Sequence, residues 1–493
     1  MDYVMGIDVG TGGVKLLVIS ADGTICTQAT VSYSPDLPAP GYSEQDPQVW
    51  WSAVKEAVGA AVEKFPDCRG KIKALACSGQ MHSSVFLDDR GEVIRKAILW
   101  NDARTTRQTK EIYDAVGREN LLRNVANLAL EGFTLPKLLW LRANEPENYA
   151  RLDKLIMPKD YINYRLTGRI VTDCSDAAGT LMYDVAKACW SEKILSALNI
   201  KKEILPEVLA SSDIVGKVKG ELCSLLGDDC LVIAGGADNS CAAVGSGMAH
   251  SGQGVISIGT SGTVIACMDG LKQSPDGEVH LFNYYRPDTI YAMGCMLSAG
   301  ESLNWLKRTF FENISFSELD KLAEASDIGS RGIIFLPYLF GERTPHNDPY
   351  ARGVFFGLTG AAGKGDIIRS VLEGVAFGIR DMYESVSKFA NVRELTITGG
   401  GAKSRLWRQI IADVLDKELR VNNISEGPAL GAAFLAAVGS GGAADLEEIQ
   451  SKMLSCTEII SPTDKSKNYE PYYALYREIY KTDKELFKQL NML

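Results

Sequence analysis

The sequence predicts an α/β protein in which one plan of mixed sheet and covering helices is used twice. Three observations carry that expectation. Residues 5–14 (MGIDVGTGGV) and 254–263 (GVISIGTSGT) share one pattern, an apolar run that breaks into Gly-Thr-Gly/Ser-Gly and then resumes, as a strand, a tight turn and a returning strand do. In each half, hairpins come first, and strands that run into glycines and a helix start come later. The length of 493 residues exceeds what one hydrophobic core supports, so two large domains are expected. Residues 1–250 and 251–493 are their predicted extents, and the small, glycine-rich segment 245–254 is the predicted boundary.

The elements follow in order. Hairpins run from Tyr3 to about Thr30, and a loop rich in Pro, Ser and Gly continues to Gly41. Asp46 suits the N-cap of a helix that has Pro47 in its first position. Ile72–Cys77 reads as a strand ending in Ser78-Gly79-Gln80-Met81-His82, and Val93–Leu99 as a second ending in Trp100-Asn101-Asp102-Ala103-Arg104. Helices with turn signals fill Thr105–Asn199. Leu231–Ala234 is a buried strand that ends in Gly235-Gly236-Ala237-Asp238-Asn239. In the second half, Leu395–Thr398 feeds Gly399-Gly400-Gly401-Ala402, a helix starts near Lys403 or Ser404, and another starts at Gly427-Pro428. The final forty or so residues read as a polar, helical outer layer.

Composition narrows the function. A charged fraction of 23% and a hydrophobic fraction of 46% are those of a soluble globular protein, and a net charge of -10 argues against nucleic acid as a partner. Eleven cysteines without a C-x-x-C pair, several in apolar settings such as Cys77, Cys241 and Cys295, read as reduced core residues of a cytoplasmic protein. No targeting signal is read, and the apolar run 428–438 is too short to cross a bilayer, so no membrane partner is expected. Four dispersed histidines, His82, His250, His280 and His346, give no basis for a zinc site.

The glycine turns suggest chemistry. At Thr11-Gly12-Gly13 and Gly259-Thr260-Ser261, glycines let backbone N–H groups crowd an anion, and the hydroxyls add donors. Two such turns across a cleft would hold a polyphosphate, and Lys15, just past the first turn, is grouped with them. Asp8 precedes that turn. A carboxylate near phosphates is repulsive unless a divalent cation lies between, so Asp8 predicts Mg²⁺.

Asp238 ends a buried strand after two glycines and opens a helix. Capping is the commonest task for an Asp there; the alternative is a carboxylate that opens into a cleft and accepts the proton of a hydroxyl attacking phosphorus. Asn239 beside it and two further strand-end clusters favour the second task. Gln80 and His82 supply donors and acceptors around the adaptable apolar wall of Met81, and a Trp100 ring can cover a sugar face. Asp102 and Arg104 can bond hydroxyls or pair with each other. The Gly399–Gly401 turn lets a flat nucleotide ring approach, although neither G-x-G-x-x-G nor a Walker A sequence is present.

The ordered set Gly6-Ile7-Asp8-Val9-Gly10-Thr11, Glu44-Gln45-Asp46-Pro47, Ser78–His82, Trp100-Asn101-Asp102, Gly235–Asn239, Ser257–Gly262 and Gly399–Ala402 resembles the FGGY carbohydrate kinases. The xylulokinase group within that family is the most similar. Phe133–Lys137, Pro158–Tyr161, Asp176–Thr180 and Gly341–His346 add to the match. The resemblance implies two actin-like ATPase domains, each with a ribonuclease-H-like core, closing over a deep cleft. It implies ATP and Mg²⁺, with Asp238 as the base and Asp8 helping to place the metal. Met81, His82, Trp100 and Asn239 fall on sugar-pocket positions, and Gln80, Asp102 and Arg104 are grouped with them. Thr11–Gly13 and Gly259–Ser261 fall on phosphate positions, and Gly400 and Gly401, with Ala402, on the adenosine side.

Two departures, Gly-Gly-Ala-Asp at the catalytic segment and Gly12 in the first turn, are small. The expected reaction converts D-xylulose to D-xylulose 5-phosphate. A kinase for another polyol, ketose or sugar acid (ribulose, gluconate) stays open, as does a non-catalytic sensor of the same fold. The expected partner is a small sugar, with a homodimer as the candidate assembly.

Overall fold

The first hairpin forms because β1 (Tyr3–Val9) and β2 (Gly13–Ser20) bury nearly every side chain, and β3 (Ile25–Ser32) pairs antiparallel on the outside. The structure is a computed structural model that describes residues 3–274 and 276–492. Helix α1 (Pro47–Lys64) starts at Asp46, whose side chain accepts from the N–H of Gln48 at 2.9 Å, with Pro47 in the first turn. Such a cap contributes about 1 kcal/mol.

The sheet is completed by β4 (Ile72–Gly79), β5 (Ile214–Lys217) and β6 (Leu231–Ala237), in the order β5-β6-β4-β1-β2-β3, with β1, β4 and β6 parallel. Helix α2 (Asp238–Gly245) follows β6 directly.

A second sheet repeats this plan. It contains β7 (Gln253–Ile258), β8 (Gly262–Met268), β9 (His280–Asn283), β10 (Ile290–Met296), β11 (Glu394–Thr398), β12 (Leu419–Asn422) and β13 (Cys456–Ile460). Their order is β9-β10-β8-β7-β11-β12-β13. Both sheets thus place an antiparallel group, three strands in the first and four in the second with β9 outermost, beside two parallel strands and close with an antiparallel strand, so the hairpin duplication extends to the topology. Helices α3 (Gly300–Phe310), α4 (Arg405–Leu415), α5 (Gly427–Gly439) and α6 (Glu470–Leu490) come from the second half of the chain.

Helix α5 holds the apolar run at 428–438. It crosses α2 and lies on β1 and β4 of the first sheet, which is why it is apolar all round. Backbones touch there: a Cβ on Gly431 would lie 1.8 Å from the Cys241 carbonyl oxygen, and one on Gly6 would lie 1.9 Å from that of Ala429. No helix among the described residues is long and apolar enough to cross a membrane.

Three expectations are corrected. Val93–Leu99 is no strand of the main sheet; Ala97–Ile98 pair with Glu44–Gln45, and Val93 and Ile98 make isolated bridges to Leu87 and Ser84, with Arg95 and Lys96 between them pairing with Glu44 and Asp36. The helical span 105–199 also contains short strands such as Lys154–Ile156 and Val171–Asp173, set by distant partners. The C-terminal segment adds the edge strand β13 before its helix.

Candidate active site

Register puts the two acids on one rim. Asp8 pairs with Ser78 across β1 and β4, and Ser78 pairs with Gly236 across β4 and β6, so the parallel strands end level with Asp238 just beyond. A bulge between Ile233 and Gly236 turns β6 there. Gly235 makes it possible with φ +71, and a Cβ on it would lie 1.8 Å from the Cys77 carbonyl oxygen.

Asp238 is the first helical residue of α2 and caps nothing beyond its neighbour, the N–H of Asn239, at 2.7 Å. Burial, and then the charge of Asp8, push its carboxyl up to about 7, while N–H groups of Asn239 and Met81 act the other way. Burial lifts Asp8 to about 6 against the Ser78 hydroxyl and the Lys15 ammonium. Asp8 Oδ1 is buried without a hydrogen-bond partner. No group of three or more His, Cys, Asp or Glu side chains among the described residues could hold a metal ion. A divalent cation at Asp8 would therefore need most of its ligands from phosphate oxygens and water.

The backbone before Asp238 is braced from behind. Fully buried Lys159 meets Asp160, Asp173 and Asp176 at 2.5, 2.9 and 3.3 Å. Burial opposes its charge, and the three carboxylates outweigh it, so its pKa is raised. Asp173 accepts from the Ser175 hydroxyl at 2.5 Å, and the same hydroxyl oxygen accepts the N–H of Ala237 at 2.9 Å. Lys159, Asp173 and Ser175 were not among the expected site residues; Lys159 lies in the Pro158–Tyr161 motif, whereas Asp173 and Ser175 precede the Asp176–Thr180 motif and carried no signal of their own.

Met81, His82 and Asn239 come together beside Asp238, with Asn239 Nδ2 3.3 Å from Met81 Sδ. His82 has φ +67, a left-handed conformation that is strained for a non-glycine residue. Its carbonyl is held by Thr134 Oγ1 at 3.0 Å and by buried Lys137 Nζ at 2.9 Å. The ring Nδ1 lies 2.6 Å from the Gly179 carbonyl, which can only accept, so Nδ1 carries the proton. Burial drives the pKa of His82 well down, which leaves Nε2 a neutral acceptor.

Trp100 is 38% exposed, and its indole N–H donates to Thr11 Oγ1 at 2.9 Å, tying the sugar-side cluster to the first glycine turn. Thr11 Oγ1 donates to Gln80 Oε1 at 3.2 Å, so its proton is engaged and that turn offers an anion its backbone N–H groups instead.

Three sugar-side expectations are corrected. Gln80 is buried with its amide engaged by Thr11, Ser83 and Gln45, so it supports the turn and does not face a ligand. Asp102 and Arg104 choose each other: both side chains are buried, the guanidinium is bidentate at 2.8 and 2.7 Å, and its remaining arm takes Glu44 at 2.7 Å. Tyr42 and Trp140 stack on Arg104 at 3.8 and 4.7 Å, closing it from any ligand.

On the other side, Gly259 and Thr260 meet Gly400 and Gly401 in a cavity of about 530 Å³. Ile258, Leu303, Phe316 and Trp407 give it apolar walls, and Asn304, Ser317, Asp320 and Ser404 add polar groups, which suits a purine and its ribose. Leu303, Asn304, Phe316 and Asp320 were not foreseen, because they sit on helices with ordinary amphipathic patterns. Ala402 is corrected: it lines a separate pocket with Thr398 and Asn422 on the far side of the turn. Lys15 pairs with Glu426, in the loop before α5, and so joins the first hairpin to the second half of the chain.

Comparison with known proteins gives concordant matches. Models of the FGGY family of carbohydrate kinases match over residues 3–245 for the N-terminal domain and 254–440 for the C-terminal domain. A xylulose kinase from Staphylococcus epidermidis is 40% identical over 493 residues, spanning 99% of this chain and 98% of its own. A ligand-bound xylulose kinase structure from Lactobacillus acidophilus superposes with a TM-score of 0.94 at 28% identity, over 99% of this chain and 100% of that one. A gluconate kinase from the same organism gives 0.93 at 28% identity, over 99% of each chain.

Proposed function

The chain belongs to the FGGY family of carbohydrate kinases, and from that premise we propose that it transfers the terminal phosphoryl group of ATP to D-xylulose, giving D-xylulose 5-phosphate. The observation that carries the reading is the rim that Asp8 and Asp238 share, one with an unpartnered oxygen and the other with a carboxyl near neutrality. The full-length similarity to xylulose kinases supports the choice of sugar.

In this reading the sugar lies against Met81 and Trp100, and Nε2 of neutral His82 accepts one hydroxyl. Asp238 aligns the terminal hydroxyl and takes its proton as that oxygen bonds to the γ-phosphorus and the bond to ADP breaks. The turns at Thr11–Gly13 and Gly259–Ser261 hold the phosphates by backbone N–H groups, with Lys15 beside the first and Gly400 and Gly401 against the adenosine. Mg²⁺ fits at Asp8, whose orphaned oxygen suits a cation; when bound, the ion neutralises charge between that carboxylate and the phosphates. A cytoplasmic site, where ATP is supplied, and a homodimeric assembly complete the reading.

A coupled assay of ADP formation over ketoses, aldoses, pentitols and sugar acids tests it. D-xylulose should give the highest kcat/KM. Turnover on gluconate with none on D-xylulose would overturn the choice of sugar.

A further inference from the structure

Arg343 lies in the Gly341–His346 segment, which the chemistry above does not use. Its backbone is fixed. Glu342 Oε1 accepts from the N–H groups of Arg343 and Leu297 at 2.7 and 3.3 Å, and Thr344 and Cys295 exchange two hydrogen bonds at 3.0 and 3.1 Å. The segment is thus anchored at the end of β10, in the second sheet.

The side chain reaches the other half of the molecule. A Cβ on Gly132 would lie 3.6 Å from Arg343 Nη2, in ordinary contact, and 2.6 Å from the Trp100 carbonyl oxygen, so the guanidinium reaches the segment that packs against Trp100. Phe133, the next residue, packs its ring on His82 with centroids 4.4 Å apart. Arg343 is half-buried, and its guanidinium forms no hydrogen bond or ion pair with the described residues. Its charge adds to the burial that keeps His82 and His280 neutral. A cation removed from bulk water without an anion is costly unless a ligand completes it.

We propose that Arg343 is a specificity-determining residue of the acceptor site and that it reads the ketone oxygen of the sugar, an inference that rests on the ketose reading above. The donor sets match. A guanidinium only donates, a ketone oxygen only accepts, and Nε2 of neutral His82 accepts from the adjoining hydroxyl. A pentitol puts a hydroxyl there instead; its oxygen still accepts from the guanidinium, but its own proton then needs a further acceptor in the pocket that the ketone does not. Because Arg343 comes from the second half and the other sugar contacts from the first, the contact also ties sugar recognition to the apposition of the two halves.

The test compares wild type, Arg343→Met and Arg343→Lys on D-xylulose, xylitol and gluconate, with ATP KM and thermal midpoint measured alongside. Arg343→Met should raise the KM for D-xylulose by about tenfold or more and reduce the preference for D-xylulose over xylitol, while ATP KM stays within about twofold. Arg343→Lys should recover part of that preference.

An unchanged sugar KM, or a raised KM with the xylulose-to-xylitol ratio intact, overturns the proposal while leaving the kinase reading standing. Wild-type protein that ignores D-xylulose and phosphorylates gluconate in an Arg343-dependent way overturns both, with the cation then serving a carboxylate.

Discussion

Asp8 acts on Asp238 from two strands away: its charge is the second cause, after burial, of the raised carboxyl at the start of α2. Removing that charge has a defined sign. In the ligand-free protein, Asp8→Asn should lower the pKa of Asp238 from about 7, read by carboxyl-labelled NMR titration. A titration that does not move would leave burial as the whole cause.

Only ionised Asp238 can take a proton, so kcat/KM for the sugar should rise as pH climbs through about 7. Asp238→Asn should lower kcat by about 10²- to 10⁴-fold with ATP affinity retained. Undiminished turnover in that variant would remove the base role.

The same acids should weaken the ligand-free fold. Folded Asp238 holds its proton up to about 7, whereas the unfolded chain releases it near 3.8, so folding requires proton uptake between those values. Stability therefore falls as pH rises across that window and levels off above it. Asp238→Asn escapes this cost, and its melting temperature should exceed that of wild type by a margin that grows from pH 4 to pH 7. A margin that is constant with pH would contradict the assignment.

Asp102 and Arg104 should behave as structural residues. Asp102→Asn leaves a buried guanidinium with only Glu44 to balance it, and removing one partner of a buried pair costs about 3–5 kcal/mol. The expected result is a lower melting temperature with an unchanged sugar KM in the protein that survives. A raised KM at full stability would return the pair to the sugar site.

This pair also marks where reading the sequence stops. Asp8 and Asp238 stood out because each is an acid among glycines at the end of an apolar strand, and that local contrast survives folding. The hairpins were legible for the same reason, since burial on both faces leaves continuous apolar runs. Arg104 looked available because its partners, Glu44, Tyr42 and Trp140, lie far away in the chain. Asn304 and Asp320 were invisible because a helix turns residues toward a ligand and toward solvent with the same period. Val93–Leu99 misled because its apolar residues pack on short local partners outside the main sheet.

The crossing of α2 and α5 gives the last prediction. A Cβ on Gly431 would lie 1.8 Å from the Cys241 carbonyl oxygen and one on Gly245 would lie 2.4 Å from that of Gly427, so there is no space for a methyl group, and the obstacle is backbone in both cases. Gly431→Ala must separate the two helices or displace α5 from β1 and β4, and overpacking of this kind costs about 1–3 kcal/mol. Gly59→Ala, within α1, meets nothing within 4 Å and should instead stabilise by about 0.5–1 kcal/mol, because alanine suits a helix better. Half-lives of thermal inactivation for the two variants should therefore fall on opposite sides of wild type. If Gly431→Ala proves as durable as the parent, the two helices are not in the tight backbone contact that holds the halves of the molecule together.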